Sequence, residues 1–121
     1  MKRVLIVEDQ ADIRELISLT LELEDFELHE AENGDLGYAA AVSLNPDLIL
    51  LDVMMPGSMD GFAVCTKLKS DPRFKRIKII ILSAKGQDSD KQQGKQAGAD
   101  GYLTKPFSPK QLLEVVIKQI G

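Results

Sequence analysis

The stretch Leu48-Ile49-Leu50-Leu51-Asp52 decides the fold, because four large apolar residues run directly into a carboxylate. Asn45-Pro46 precedes this run and Met55-Pro56-Gly57 follows it. A short apolar run between such turn signals is typical of a strand that is buried on both faces. Asp52 is therefore expected at the mouth of a hydrophobic core. A buried carboxylate without a partner is costly unless it takes up a proton, so its position predicts a partner or a function.

Length and charge restrict the class of protein. The 121 residues suffice for one domain with a single core. The net charge of -4 and the isoelectric point near 5.0 argue against direct binding of nucleic acid. A local basic cluster is interpreted as a solvated connector between two elements; it consists of Arg73, Lys75, Arg76 and Lys78.

The cellular compartment is indicated by two further features. Cys65 is the only cysteine, so no disulfide framework exists and a reducing compartment is expected. The first apolar stretch, Val4 to Val7, ends at Glu8 and is too short for a signal peptide or a membrane span. We therefore expect a cytoplasmic protein without a membrane contact.

Five segments have the pattern of strands, and segments predicted to be helical separate them and follow the last one. The strands are predicted at Val4 to Val7, Phe26 to Ala31, Leu48 to Asp52, Ile77 to Leu82 and Tyr102 to Thr104. This alternation predicts right-handed crossovers and a parallel sheet covered on both sides. The first, third and fourth strands are the most apolar and should be central, which favours the doubly wound, flavodoxin-like order 2-1-3-4-5 with five helices.

The helical segments differ in how much apolar surface they offer. Two faces are predicted to be buried, one with Ile13, Leu16, Ile17, Thr20 and Leu21, the other with Leu112, Leu113, Val116, Ile117 and Ile120. Ser108-Pro109-Lys110-Gln111 is a capping box that begins the last helix, and Asn33-Gly34 is interpreted as a turn. The segment Ser89 to Ala97 has almost nothing to bury, and its interior Gly94 costs about 1 kcal/mol relative to alanine. We expect that helix to be weakly anchored.

Polar side chains follow the carboxyl ends of the predicted strands. In an open parallel sheet these ends meet at one rim, which would collect Glu8, Asp9, Asp52, Ser83 and Lys105. Taken singly, each is most often a turn or helix-end residue, but their convergence favours a site. An acidic site built from oxygen ligands suits Mg²⁺. With a lysine and a hydroxyl beside the carboxylate, it is equipped for phosphoryl transfer onto Asp52.

Four motifs in this order resemble the receiver domains of two-component response regulators, over essentially residues 1–121. They are Val4-Leu5-Ile6-Val7-Glu8-Asp9, Leu50-Leu51-Asp52-Val53-Met54-Met55-Pro56, Ile81-Leu82-Ser83-Ala84 and Tyr102-Leu103-Thr104-Lys105-Pro106-Phe107. The resemblance implies that Asp52 accepts a phosphoryl group from a histidine of a sensor kinase or a phosphotransfer protein. It implies no multiple-turnover enzyme.

The resemblance also assigns roles to the other rim residues. Asp9, Asp52 and the backbone carbonyl of Met54 would hold Mg²⁺, and Glu8 would act through water. Ser83 would hydrogen-bond the phosphoryl group and Lys105 would pair with it. Tyr102 would be the switch aromatic, and the bond between Lys105 and Pro106 would be cis.

The chain departs from the usual family pattern at three places. Ser83 stands where threonine is commoner, and Glu8 replaces a frequent aspartate. The loop from Pro56 to Gly61 is one residue longer than usual. Met54 and Lys85 would border the path of a hydrolytic water, and neither orients water well, so we expect slow self-dephosphorylation.

Several functional alternatives remain at this stage. We expect the output face to consist of the fourth helix, the fifth strand and the last helix, in a monomer or weak dimer. A stand-alone receiver is favoured over one excised from a regulator with a DNA-binding or enzymatic output domain. A haloacid-dehalogenase-type hydrolase would need a second aspartate where Met54 stands, and a flavodoxin would need a phosphate loop where Glu8 and Asp9 stand.

Overall fold

The computed structural model describes residues 1–55, 59–84 and 88–121, and of Asp88 only the backbone. Strands and helices alternate along these residues. In chain order they are β1 (Lys2–Val7), α1 (Ala11–Leu21), β2 (Phe26–Ala31), α2 (Gly34–Leu44), β3 (Leu48–Asp52), α3 (Gly61–Lys69), β4 (Lys78–Ala84), α4 (Asp88–Ala97), β5 (Gly101–Lys105) and α5 (Pro109–Ile120). None of the described helices is long and apolar enough to cross a lipid bilayer.

The five strands form one parallel sheet in the order β2-β1-β3-β4-β5. The predicted order and the predicted edge strands are therefore confirmed. Helices α1 and α5 contact each other on one side of the sheet, and α3 contacts both α2 and α4 on the other. Two apolar cores result, one on each side of the sheet.

The central strand β3 divides its side chains between the two cores. Every residue from Leu48 to Asp52 is buried. Ile49 and Leu51 belong to the core beneath α2 and α3, whereas Leu48 and Leu50 belong to the core beneath α1 and α5. Asp52 continues the strand in register with Leu82 of β4. The apolar run therefore delivers this carboxylate to the edge of the core, as its sequence predicts.

Three helix starts depend on side-chain caps. Asn33 accepts a hydrogen bond from the amide of Leu36 at 2.8 Å, and Asp60 accepts one from Ala63 at 2.9 Å. The capping box that begins α5 at Ser108 is confirmed. The turn predicted at Asn33-Gly34 is wrong, because Asn33 caps α2 and Gly34 is its first residue.

Two leucine and isoleucine positions were predicted to be buried and are not. Leu16 is 43% exposed and Ile117 is 45% exposed, whereas Ile17 and Val116 beside them are fully buried. Each exposed residue lies at the border of its apolar stripe, because the helix presents only a narrow strip to the sheet. Leu16 instead borders a surface groove beside the rim.

Candidate functional site

Three carboxylates meet at the carboxyl ends of β1 and β3. One oxygen from each of Glu8, Asp9 and Asp52 lies within 4.8 Å of the others. Glu8 and Asp52 are buried, and Asp9 is partly exposed. The predicted cluster of carboxylates is therefore brought together by the sheet, because parallel strands end at the same edge.

Lys105 reaches the cluster from the far edge of the sheet. Its Nζ lies 2.6 Å from Glu8 Oε1 and 3.5 Å from Asp52 Oδ2. Ser83, in register with Thr104 of β5, is also buried and directly follows Leu82, the partner of Asp52. The sheet therefore places a cation and a hydroxyl-bearing residue at the rim where the sequence predicts them.

Backbone amides hold both buried carboxylates. Met54 N donates to Asp52 Oδ1 at 3.0 Å, and Gln10 N donates to Glu8 Oε2 at 3.2 Å. Met54 is 65% exposed, and its backbone amide contacts the Asp52 carboxylate. That its carbonyl binds a metal stays a prediction.

The carboxylates of the cluster lie close together, which is electrostatically unfavourable without a bound metal ion. Burial, together with the neighbouring Asp52 carboxylate, raises the pKa of Glu8 from 4.5 to about 7, and the contact with Lys105 offsets this only in part. Desolvation disfavours the charged form of a carboxyl group, and a nearby like charge does the same. Burial and the neighbouring carboxylate therefore disfavour the ionised form of Glu8 near neutral pH.

The donor set fits Mg²⁺. All three side chains offer carboxylate oxygens, the ligands that this hard cation prefers. Glu8 Oε1 is buried, and Lys105 Nζ lies 2.6 Å from it. A divalent cation beside it would lower the free energy of the ionised carboxylates.

An apolar groove of about 360 Å³ lies beside the rim. The residues that line it come from the start of α1 and the residue before it, the ends of β4 and β5, and the start of the β5–α5 connection: Gln10, Ile13, Leu16, Ala84, Lys105, Pro106 and Phe107. The bond between Lys105 and Pro106 is cis, as the resemblance implied. The sequence did not indicate this groove, because Leu16 and Phe107 are far apart in the chain.

The predicted switch residue Tyr102 is partly exposed on β5. Its hydroxyl donates to the carbonyl of Lys91 in α4. Two sequence expectations fall outside the described residues: Lys85, and the part of the longer loop from 56 to 58.

Sequence reasoning missed Arg14. This α1 residue donates from Nη1 to the backbone carbonyl of Glu8 at 2.8 Å and from Nε to Glu30 Oε1 at 3.0 Å. No spacing signal identifies such a contact, because its acceptor at the rim is a backbone atom.

The chain is similar to known proteins over most of its length. It is 46% identical over 123 residues to the phosphate regulon transcriptional regulatory protein PhoB of Pseudomonas aeruginosa, covering 99% of this chain and 53% of that protein. The chain thus spans about half the length of this relative.

Solved structures share the fold. The chemotaxis response regulator CheY4 of Vibrio cholerae superposes with a TM-score of 0.91 at 34% identity, covering 99% of both chains. The receiver domain of a Pseudomonas aeruginosa sensor histidine kinase, described with a magnesium ion coordinated in its active-site cleft, gives a TM-score of 0.89 at 27% identity, covering 99% of this chain and 98% of that one.

The model of the response regulator receiver domain family matches residues 4–117. This range includes most of β1 and all of β2 to β5. It also includes Glu8, Asp9 and Asp52. The chain belongs to the response regulator receiver domain family.

Proposed function

We propose that Asp52 accepts a phosphoryl group from a phosphohistidine of a sensor kinase or phosphotransfer protein. The observation that carries this proposal is the buried Asp52 carboxylate, which has Lys105 Nζ at 3.5 Å and the carboxylates of Glu8 and Asp9 beside it. An oxygen of Asp52 attacks phosphorus, the bond between phosphorus and the histidine nitrogen breaks, and that nitrogen keeps the bonding electrons. The product is an acyl phosphate.

Mg²⁺ bound to the rim would neutralise charge on the phosphoryl oxygens during this transfer. Asp9, Asp52 and the Met54 carbonyl are the proposed ligands, with Glu8 acting through water. The support is the shared 4.8 Å spacing of the carboxylate oxygens and the raised pKa of Glu8. Asp9 is the accessible member of the cluster, which suits the entry of a hydrated ion.

Lys105 and Ser83 would stabilise the product. Lys105 Nζ already contacts both buried carboxylates, so a small displacement lets it pair with a phosphoryl group on Asp52. The Ser83 hydroxyl would donate to a second phosphoryl oxygen. Charge-assisted hydrogen bonds of this kind can bias a two-state element of the fold.

The surface of α4, β5 and α5 would be the output face, which contacts a downstream partner. Tyr102 connects β5 to α4 through its hydrogen bond to the Lys91 carbonyl, so a change at Ser83 or Lys105 has a direct route to this helix. The exposed charges of α4, among its described side chains, are Lys91 and Lys95. A downstream protein, rather than nucleic acid, is the proposed target of this face.

The donor would dock beside the acceptor. The apolar groove with Ile13, Leu16 and Phe107 borders Lys105, and a partner that covered it would exclude water from Asp52.

We further propose that the protein works in the cytoplasm and that its phosphate is lost slowly. A Met54→Asn, Lys85→Glu double variant should then lose phosphate faster than the wild type.

Intact mass spectrometry tests the proposed chemistry. The protein is incubated with Mg²⁺ and acetyl phosphate, and Asp52→Asn and a chelated sample serve as controls. One phosphoryl adduct is expected in the wild type alone. An adduct that persists in Asp52→Asn, or that forms equally with the chelator, would overturn the proposed acceptor or the proposed metal dependence.

A further inference from the structure

We infer that Arg14 and Glu30 form a positioning pair that fixes Asp9 for cation binding. Neither residue belongs to the proposed ligand set, and the inference rests on the proposed function only in taking that set as the Mg²⁺ site. The pair connects the loop after β1 with the edge strand β2 through the first turns of α1.

The Glu8 backbone and side chain are held at separate points. Its amide donates to the Ala31 carbonyl at 3.1 Å, which continues the pairing of β1 with β2. Its carboxylate is held by the Gln10 amide and contacts Lys105. Its carbonyl accepts from Arg14 Nη1 at 2.8 Å. The orientation of the peptide group between Glu8 and Asp9 is therefore fixed by Arg14.

Asp9 depends on that peptide group. Its side chain makes no hydrogen bond with a described residue, unlike Glu8 and Asp52. Among the described residues, the backbone on either side is therefore what places its carboxylate near the other two. Groups that orient a metal ligand from outside the ligand set commonly control metal affinity.

Glu30 holds Arg14 in place. Arg14 Nε lies 3.0 Å from Glu30 Oε1, and the arginine side chain is only 20% exposed. A planar guanidinium is a rigid fork that holds two acceptors in a fixed relative direction, whereas the ammonium group of a lysine is a single point at the end of a flexible stem. The Glu30 contact therefore directs the second arm of the fork at the Glu8 carbonyl.

A purely electrostatic role and a positioning role of Arg14 predict opposite changes in Mg²⁺ affinity when Arg14 is removed. The inference is therefore testable. Arg14 carries a positive charge near an acidic cluster, so its removal alone should strengthen the attraction for a cation. If Arg14 positions Asp9, its removal should instead weaken Mg²⁺ binding. Arg14→Met keeps most of the apolar stem and removes both donors, so it separates the two effects.

The test is calorimetric titration of each metal-free variant with Mg²⁺, together with its thermal melting temperature without metal. Arg14→Met should raise the Mg²⁺ Kd about 10-fold. Arg14→Lys keeps the repelling charge but not the fork, so its Kd should be at least as high as that of Arg14→Met. Arg73→Met is the matched control, because Arg73 also pairs with a carboxylate, that of Asp71, but near the opposite end of the sheet. Its Kd should equal that of the wild type.

The Glu30→Ala variant and the double variant with Arg14→Met test the pair. Glu30→Ala should weaken Mg²⁺ binding less than Arg14→Met, and the double variant should bind no more weakly than Arg14→Met alone. An unchanged or lower Kd in Arg14→Met, whether or not its melting temperature falls, would overturn the inference. If the wild type binds no Mg²⁺, or Asp9→Asn binds it equally well, the proposed cation site fails and the inference fails with it.

Discussion

The ring of Tyr102 fills the space that a side chain on Gly94 would occupy. A Cβ atom at Gly94 would lie 2.9 Å from Tyr102 Cε1 and 3.2 Å from Ile81 Cγ1. The glycine that weakens α4 in isolation is therefore a packing site for the aromatic ring of β5. Together with the hydrogen bond from the Tyr102 hydroxyl to Lys91, this contact attaches α4 to the sheet.

Gly94→Ala should change the stability of the protein with a sign that depends on Tyr102. Alanine gains about 1 kcal/mol in helix propensity, but overpacking a buried contact costs about 1 to 3 kcal/mol. We expect the free energy of unfolding to fall by about 1 kcal/mol in the wild type and to rise by about 1 kcal/mol in a Tyr102→Ala background. Urea denaturation of the four proteins measures both. The same sign in both backgrounds would contradict the packing role.

Lys69 joins three parts of the fold at the end of the sheet opposite the rim. Its Nζ lies 2.8 Å from Asp100 Oδ2 and donates to the carbonyls of Lys75 and Ile77 at 3.1 and 2.7 Å. Asp100 Oδ2 also accepts from the amide of Ile79. This network connects the end of α3 to β4 and to the start of β5.

Lys69→Met should therefore destabilise the protein. Removal of the ammonium leaves two backbone carbonyls without their donor and leaves the largely buried Asp100 carboxylate with the Ile79 amide but no paired cation, which typically costs about 1 to 3 kcal/mol. The expected result is a fall of about 2 kcal/mol in the free energy of unfolding, measured with urea. Arg73→Met removes a side chain that is 70% exposed, and Asp71 keeps the hydrogen bond from the Arg73 backbone amide, so the urea midpoint should change little. Equal effects of the two substitutions would contradict this prediction.

The sheet order and the rim were predictable because both depend on local patterns. Buried parallel strands are continuous apolar runs, and each predicted strand overlaps an observed one, for example Leu48–Asp52. Since strand ends in a parallel sheet share one edge, the residues that follow them were placed together without any knowledge of tertiary contacts.

The contacts that cross between elements were not predictable. The Tyr102 ring above Gly94 and the Arg14 hydrogen bond to the Glu8 carbonyl join residues whose separation in the chain carries no periodic signal. A helix-propensity argument therefore assigns Gly94 only a cost. Likewise, the exposure of Leu16 depends on the width of the strip that α1 presents to the sheet.

Cys65 should be unreactive in the folded protein. Its thiol is fully buried and donates to the Ala97 carbonyl at 3.5 Å, and burial raises its pKa from 9.0 to about 11. The fraction of Cys65 in the thiolate form, which is the reactive form, is therefore about 100-fold lower than for an ordinary cysteine. The thiol is also inaccessible. Labelling with a thiol reagent near pH 8 should be slow in buffer and fast in urea. Similar rates in the two conditions would contradict the burial of this side chain.

The stability of the metal-free protein should fall as the pH rises through the range in which Glu8 ionises. The pKa of Glu8 is about 7 in the folded protein and 4.5 ordinarily, so between these values the folded state binds more protons than the unfolded state. By linkage, the stabilisation is fully present below about pH 4.5 and is lost as the pH rises through about 7. The raised value results from burial first and from the Asp52 carboxylate second, and both act only in the folded state.

Thermal and urea unfolding in the presence of a chelator, from about pH 5 to about pH 8, tests this. The free energy of unfolding should fall by an amount on the order of 2 kcal/mol over this range. Glu8→Gln cannot ionise and should lack the fall, whereas Glu15→Gln, at an exposed position on α1, should retain it. Added Mg²⁺ should reduce or reverse the fall, because a bound cation favours the ionised carboxylates. A wild-type profile that is matched by Glu8→Gln would show that other groups control the pH dependence and that Glu8 is already ionised near pH 5.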